Sequence, residues 1–155
     1  MQNETAMTLS SEETRDLRCV AGVMIPASTE FDVPGADDPA IFADIVASLG
    51  RDFANVRLAL GRLAALGGGA FADLDDARRQ AVAASFQAEG GAPLAALSRS
   101  VLQCYYRDDR VVRSLGMEPR APFPKGHVLE QGDWTLLDPV RTRPRMWRDV
   151  PPGIA

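Results

Sequence analysis

The residues of this chain that could perform acid–base chemistry are few, and they lie in its last third. His127 is the only histidine, and the adjacent carboxylates Asp108 and Asp109 precede it. Histidine exchanges protons near neutral pH more readily than other side chains, so His127 with Asp108 or Asp109 could act as an acid–base pair. No Gly-x-Ser-x-Gly motif supplies a nucleophile. An enzyme using His127 is therefore one hypothesis, and a structural or surface role for this histidine is the other.

Sequence motifs for metals, phosphates and dinucleotides are absent. Cys19 and Cys104 lie far apart in the sequence and do not have the spacing of metal ligands. The run Gly67-Gly68-Gly69 lacks the preceding strand and the following Lys-Ser/Thr pair of a phosphate-binding loop, which favours a flexible connection. We expect two reduced thiols, and no catalytic residue, metal ion or cofactor in this chain.

A dense charge cluster follows two adjacent tyrosines near the end of the helical part of the sequence. Consecutive helical residues point about 100° apart, so Tyr105 and Tyr106 cannot both face one core. We expect one to pack inward and the other to meet the tail or a partner, although both could instead be half-buried. The segment 107–110, Arg-Asp-Asp-Arg, is either an ion-pair cluster at a helix end or a surface that faces a partner.

The length and composition predict a single globular domain with a sizeable hydrophobic core. The chain has 155 residues, of which 46% are hydrophobic and 25% charged. The net charge of -4 provides no basic footprint for nucleic acid. No apolar run reaches the roughly 18 residues of a membrane span. The N-terminal residues show neither a signal peptide nor a twin arginine, so we expect a cytoplasmic protein, or a periplasmic one if a partner carries it.

Helix start signals and helical spacing predict an all-α bundle of five to six helices in residues 1–116. Ser10 and Glu13 form a capping box, Asp38 precedes Pro39, and Asp75 or Asp76 can cap a later helix. The apolar positions repeat at helical spacing. The predicted buried faces are Leu17, Val20, Ala21 and Met24; Ile41, Phe42, Ile45, Val46 and Leu49; Phe53, Val56, Leu60 and Leu63; Val82 and Phe86; Leu94, Leu97, Val101 and Tyr105; and Val111, Val112 and Leu115.

Residues 117–155, the tail, have a different composition. Seven of the eleven prolines and both tryptophans lie there. Prolines recur too often for a long helix or a central strand, whereas disordered segments are poor in aromatic residues. We therefore predict an extended, Pro-rich C-terminal tail that wraps a partner, with the competing possibility that it covers its own bundle.

An ordered set of short segments resembles the gluconate 2-dehydrogenase subunit 3 family. The resemblance extends from about Leu9 to Pro139. The segments are Leu9-Ser10-Ser11-Glu12-Glu13, Met24-Ile25-Pro26-Ala27-Ser28, Pro34-Gly35-Ala36, Tyr105-Tyr106, Leu115-Gly116 and Pro122-Phe123-Pro124-Lys125-Gly126. The chain departs from the family at the absent export signal, and at Met117 and His127, where relatives tend to have aromatic residues.

The resemblance implies a non-catalytic small subunit of an FAD-dependent sugar or alcohol dehydrogenase. The large subunit, of the glucose–methanol–choline oxidoreductase type, would hold FAD and the catalytic base, and this chain would bind and stabilise it. A transient maturation chaperone for the same flavoprotein is the alternative function. The residues that we expect to contact the partner are Tyr106, Arg107, Asp109, Arg110, Phe123, Trp134 and Trp147.

Overall fold

A computed structural model describes residues 8–121, 123–126 and 128–146. These residues contain seven α-helices and no strand, so the predicted all-α class is confirmed. The contacts between residues divide the chain into two compact units, Met1–Pro119 and Arg120–Ala155, which we call the body and the C-terminal unit. The helices are α1 (Ser11–Met24), α2 (Pro39–Ala47), α3 (Phe53–Gly67), α4 (Asp76–Glu89), α5 (Gly91–Tyr105), α6 (Asp109–Ser114) and α7 (Asp138–Arg141).

The predicted caps set the start of the helices in the body. The hydroxyl of Ser10 accepts a hydrogen bond from the Glu13 N–H (3.1 Å), and the Glu13 carboxylate accepts one from the Ser10 N–H (2.8 Å). Asp38 and Asp75 cap α2 and α4 as predicted, with their side chains accepting from backbone N–H groups, and Asp108 caps α6, which was not predicted. Each cap satisfies donors that have no partner within the helix.

The body buries one hydrophobic core with α3 at its centre. Helix α3 packs against α5, α4 and α1, and α2 packs against α5. Most of the predicted apolar faces are buried there. Two positions were wrong: Val46 is 38% exposed near the end of α2, and Leu115 is 55% exposed because α6 ends at Ser114, before that residue.

A short 3-10 turn at Phe71–Asp73 supplies the largest fully buried side chain, that of Phe71. The buried carboxylate of Asp16 accepts a hydrogen bond from the Ala72 N–H at 2.8 Å, and Arg79 donates to the Ala72 carbonyl at 2.7 Å. A polar contact from α1 and another from α4 therefore hold the backbone that places Phe71 in the core. Neither the turn nor the role of Asp16 was predicted from the sequence.

The loop between α1 and α2 is held by backbone hydrogen bonds at both ends. The Ala36 N–H donates to the Ile25 carbonyl at 2.9 Å, and the Asp38 N–H donates to the Gly35 carbonyl at 3.1 Å. Gly35 is required here, because a Cβ atom would lie 2.4 Å from Asp37 Oδ1 and 2.9 Å from the Ala27 nitrogen. The side chain of Asp37 could rotate away, but the backbone of Ala27 could not.

The C-terminal unit is less extended than we predicted. A 3-10 turn spans Trp134–Leu137 and runs into α7. Asp133 caps this turn by accepting from the Thr135 N–H at 3.0 Å, and Pro139 occupies the first turn of α7, where a missing N–H costs nothing. The prediction of an extended chain is therefore wrong for residues 134–141, whereas the described residues between 117 and 133 contain no helix.

Two glycine substitutions should change stability in opposite directions. Gly61→Ala should raise the free energy of unfolding by about 0.5–1 kcal/mol, because Gly61 lies inside α3 and the added Cβ would meet no side chain or other segment of the chain within 4 Å. Gly35→Ala should lower it by more than about 1 kcal/mol through the clash with the Ala27 backbone. Urea unfolding with an unchanged m value measures both changes. A Gly35→Ala protein as stable as wild type would contradict the crowding at this turn.

Candidate partner-binding surface at the α5–α6 corner

The two tyrosines at the end of α5 point in different directions. Tyr105 is 5% exposed and belongs to the core, whereas Tyr106 is 55% exposed. Their rings form an edge-to-face pair with centroids 5.2 Å apart. The prediction that one tyrosine packs inward is confirmed, and the alternative of two half-buried rings is wrong. Burial also raises the pKa of the Tyr105 hydroxyl.

Arg107 joins the end of α5 to α2. Its guanidinium donates to the Asp44 carboxylate (Nε to Oδ2, 3.1 Å) and to the Ser48 hydroxyl (2.9 Å), and it lies 3.6 Å from Cys104 Sγ. The hydrogen bond from Arg107 lowers the pKa of Asp44, and Asp44 raises the pKa of Arg107 in return. Cys104 lies buried beneath this pair, and its burial raises the pKa of the thiol.

Arg110 connects the capping residues of two helices. Its Nη2 and Nη1 atoms donate to Asp38 at 2.8 and 3.2 Å, and its Nε atom donates to Asp108 at 2.9 Å. Asp38 also accepts from the Ala40 N–H at 3.0 Å, and Asp108 accepts from the Arg110 N–H at 2.9 Å. One guanidinium therefore lies between the N-cap of α2 and the N-cap of α6, two elements far apart in the sequence.

The electrostatics of this corner follow from that arrangement. Hydrogen bonds from Arg110 are the main cause of the lowered pKa values of Asp38 and Asp108, and the two carboxylates raise the pKa of Arg110. Asp109 pairs with Arg113 one turn further along α6 at 3.1 Å, with both side chains well exposed. Each charge of the 107–110 segment therefore has a partner within this chain.

The charge cluster 107–110 has features of both hypotheses, the ion-pair cluster and the exposed surface. The ion-pair network at a helix end is present. Arg107 and Arg110 nevertheless leave 58% and 44% of their side chains exposed, next to the exposed ring of Tyr106. Four of the seven predicted contact residues, Tyr106, Arg107, Asp109 and Arg110, therefore form one accessible corner of the body.

The other three predicted contact residues lie beyond the body. Phe123 is 87% exposed and Trp134 is 61% exposed within the C-terminal unit. Trp147 and His127 lie outside the described residues, so the structure does not place the hypothetical acid–base pair. Its carboxylates, however, are already engaged: Arg110 holds Asp108 in its ionised form, and Arg113 pairs with Asp109.

The described residues show neither a metal-binding cluster nor a membrane-spanning helix. No group of three or more His, Cys, Asp or Glu side chains there is arranged to hold a metal ion. Within the same ranges, none of the helices combines the length and apolar character needed to cross a membrane. Both cysteines are free, with Cys19 half-buried and Cys104 buried. Comparison of the chain with protein-family models, curated proteins and solved structures finds no match.

Sequence reasoning identified the arginines of this corner but missed their partners Asp38, Asp44 and Ser48. The only signal at Asp38 was its capping position before Pro39, which says nothing about α6. The turn that carries Phe31 was also missed. This exposed aromatic side chain lies in a Pro- and Gly-containing loop without hydrophobic periodicity.

The Arg110 bridge should make stability depend on acid in a defined pH range. A double-mutant cycle with Arg110→Gln and Asp38→Asn, the latter retaining a good capping side chain, should give a coupling of about 0.5 kcal/mol at pH 7. Because the pKa values of Asp38 and Asp108 are lowered in the folded protein, this stabilisation is complete above about pH 4 and disappears as the pH falls through those lowered values.

The matched control is Arg113→Gln, which removes an exposed pair within one helix and should cost about 0.3 kcal/mol or less. Chemical denaturation of the single and double variants between pH 7 and pH 2 measures the coupling. If Arg110→Gln destabilises the protein equally across this range, the contribution of Arg110 is packing of its side chain and not its ion pairs.

Proposed function

We propose that this chain is the non-catalytic small subunit of an FAD-dependent sugar or alcohol dehydrogenase complex. It binds and stabilises a flavin-bearing large subunit of the glucose–methanol–choline type, which performs the oxidation. The observation that carries the proposal is the concentration of exposed large apolar side chains after the body ends. They are Phe123, Val128, Leu129, Trp134, Leu136, Leu137, Val140 and Met146, each between 41% and 101% exposed.

These side chains support a role in binding because exposure to water is unfavourable for them. Burial of one large apolar side chain contributes roughly 1.5–3 kcal/mol. Contiguous exposed apolar surface typically marks a binding site, and tryptophan is among the residues that dominate interface energies. Several such residues on one short segment could offset the entropy lost when that segment is fixed on a partner.

The body supports a role without chemistry of its own. Hydroxyl oxidation needs a group that accepts hydride and a base that accepts the proton, and the candidate carboxylates Asp108 and Asp109 pair with arginines. Under the proposal both groups reside in the large subunit. The ordered resemblance described above supports the same division of labour.

The first test is coexpression with a glucose–methanol–choline-type flavoprotein from the same genome, followed by affinity purification. The chain alone should be colourless and should not oxidise sugars or alcohols. Together the two should co-purify through a high-salt wash with the flavin absorbance and activity of the large subunit. Release of this chain by the salt wash would favour a transient maturation chaperone. A yellow or active preparation of the chain alone would overturn the small-subunit proposal.

A second prediction concerns the tail. Truncation after Met117 should preserve the helicity of the body, because none of the described residues beyond Val111 belongs to the buried core. The truncation should abolish co-purification with the large subunit, since it removes the exposed apolar side chains. Circular dichroism and the same affinity purification measure the two effects.

Two results would contradict this prediction. A truncated body that melts or aggregates would mean that the tail belongs to the fold of the body. Unchanged binding after truncation would move the contact with the partner entirely to the helices.

A further inference from the structure

We propose that Phe31, at the tip of the loop between α1 and α2, is an anchor that docks this chain onto the large flavoprotein subunit by entering an apolar pocket bordered by basic side chains. The inference rests on the proposed function. The contact through Phe31 lies outside both the tail and the charge cluster 107–110.

The loop holds Phe31 in one place. Ser28 and Val33 exchange two backbone hydrogen bonds of 3.0 Å, which close a loop of the four residues 29–32. The Ser28 hydroxyl accepts from the Phe31 N–H at 3.3 Å, and Asp32 adopts a left-handed backbone conformation with φ of 50°. Aspartate adopts that conformation more readily than most residues other than glycine, so Asp32 suits this turn.

The Phe31 side chain nevertheless faces solvent, with 66% of its surface exposed. Phe31 does not belong to the hydrophobic core of the body, so packing of the core does not explain its position in the loop. An aromatic side chain presented on a fixed backbone loses little conformational freedom on binding, which is the property of an efficient interface anchor. Leu58 is exposed to a similar extent, 61%, but it lies on the regular surface of α3.

The charges beside Phe31 define the partner surface. Glu30 and Asp32 flank it in the sequence, both are exposed, and neither forms an ion pair with another described residue. Residues 1–119 carry 11 arginines and 17 carboxylates, so the body is acidic as a whole. A pocket that receives Phe31 should therefore be apolar inside and bordered by arginine or lysine.

The loop also adjoins the corner already described. A hollow of about 690 Å³ separates it from α6 and is lined by Phe31, Val33 and Pro34 on the loop and by Arg110, Arg113 and Ser114 on the helix. Arg110 is thus common to the hollow and to the α5–α6 corner. Docking at Phe31 would extend one continuous contact surface across the body.

The test measures binding of full-length variants to the purified flavoprotein at fixed salt. Phe31→Ala should weaken the equilibrium affinity by about 30-fold or more, the effect of an interface hot spot. The matched control Leu58→Ala should change it by less than about threefold. Because both side chains are mostly exposed, the melting temperatures of the two variants should stay close to that of wild type.

The charges are tested separately with the double variant Glu30→Gln, Asp32→Asn, in which asparagine tolerates the left-handed conformation. It should lower the association rate constant about threefold to tenfold at low salt and reduce the dependence of that rate on salt, with a smaller effect on dissociation. An association rate unchanged at low salt would overturn the assignment of a basic rim.

The outcomes separate this inference from the proposal on which it rests. Wild-type chain that fails to bind the flavoprotein overturns the proposed function, and the inference with it. Wild-type binding with equal affinity for Phe31→Ala overturns the inference alone. Equal losses from Phe31→Ala and Leu58→Ala would mean that general surface hydrophobicity drives binding, which also overturns the specific anchor.

Discussion

The position of α6 relative to α2 depends on one polar contact, the bridge from Arg110 to the two capping carboxylates Asp38 and Asp108. Each carboxylate starts a helix by satisfying backbone N–H groups, and the guanidinium between them fixes α2 and α6 relative to one another. The individual ion pairs are partly exposed and therefore weak. Their importance is geometric. Asp38 and Asp108 each cap a helix, and because both bind the same guanidinium they also hold the two helix starts close together. The loop that carries Phe31 ends at the Asp38 cap and faces α6 across a hollow.

Local features of the fold could be predicted from the sequence, whereas features that depend on distant partners could not. The capping box at Ser10 and the caps at Asp38 and Asp75 were readable because their geometry is complete within four residues. Most apolar faces followed from helical spacing. The Phe71 turn was missed because a residue on α1, more than fifty positions away, satisfies its backbone. The short helix α7 was missed because the abundance of proline outweighed the favourable position of Pro139 in its first turn.

The candidate surface was predictable only where it depends on local geometry. The outward orientation of one tyrosine followed from helix geometry alone. The pairing of Arg107 with Asp44 and of Arg110 with Asp38 required the packing of α2 near the end of α5, which no sequence pattern specifies.

The chain has an uneven distribution of charge along its sequence. Residues 1–119 have a net charge of -6 and residues 120–155 a net charge of +2, so the two parts of the chain would favour oppositely charged regions of a partner.

The position of Cys104 gives the body a built-in reporter of its own motions. The thiol is buried under the pair of Arg107 and Asp44, and burial keeps it in the protonated, unreactive form. A thiol reagent can reach this sulfur only when the end of α5 separates from α2. The rate at which the Cys104 thiol is modified therefore reports how readily α5 separates from α2 in the folded body. Because the modification is covalent, even rare openings produce a modified fraction that grows with time.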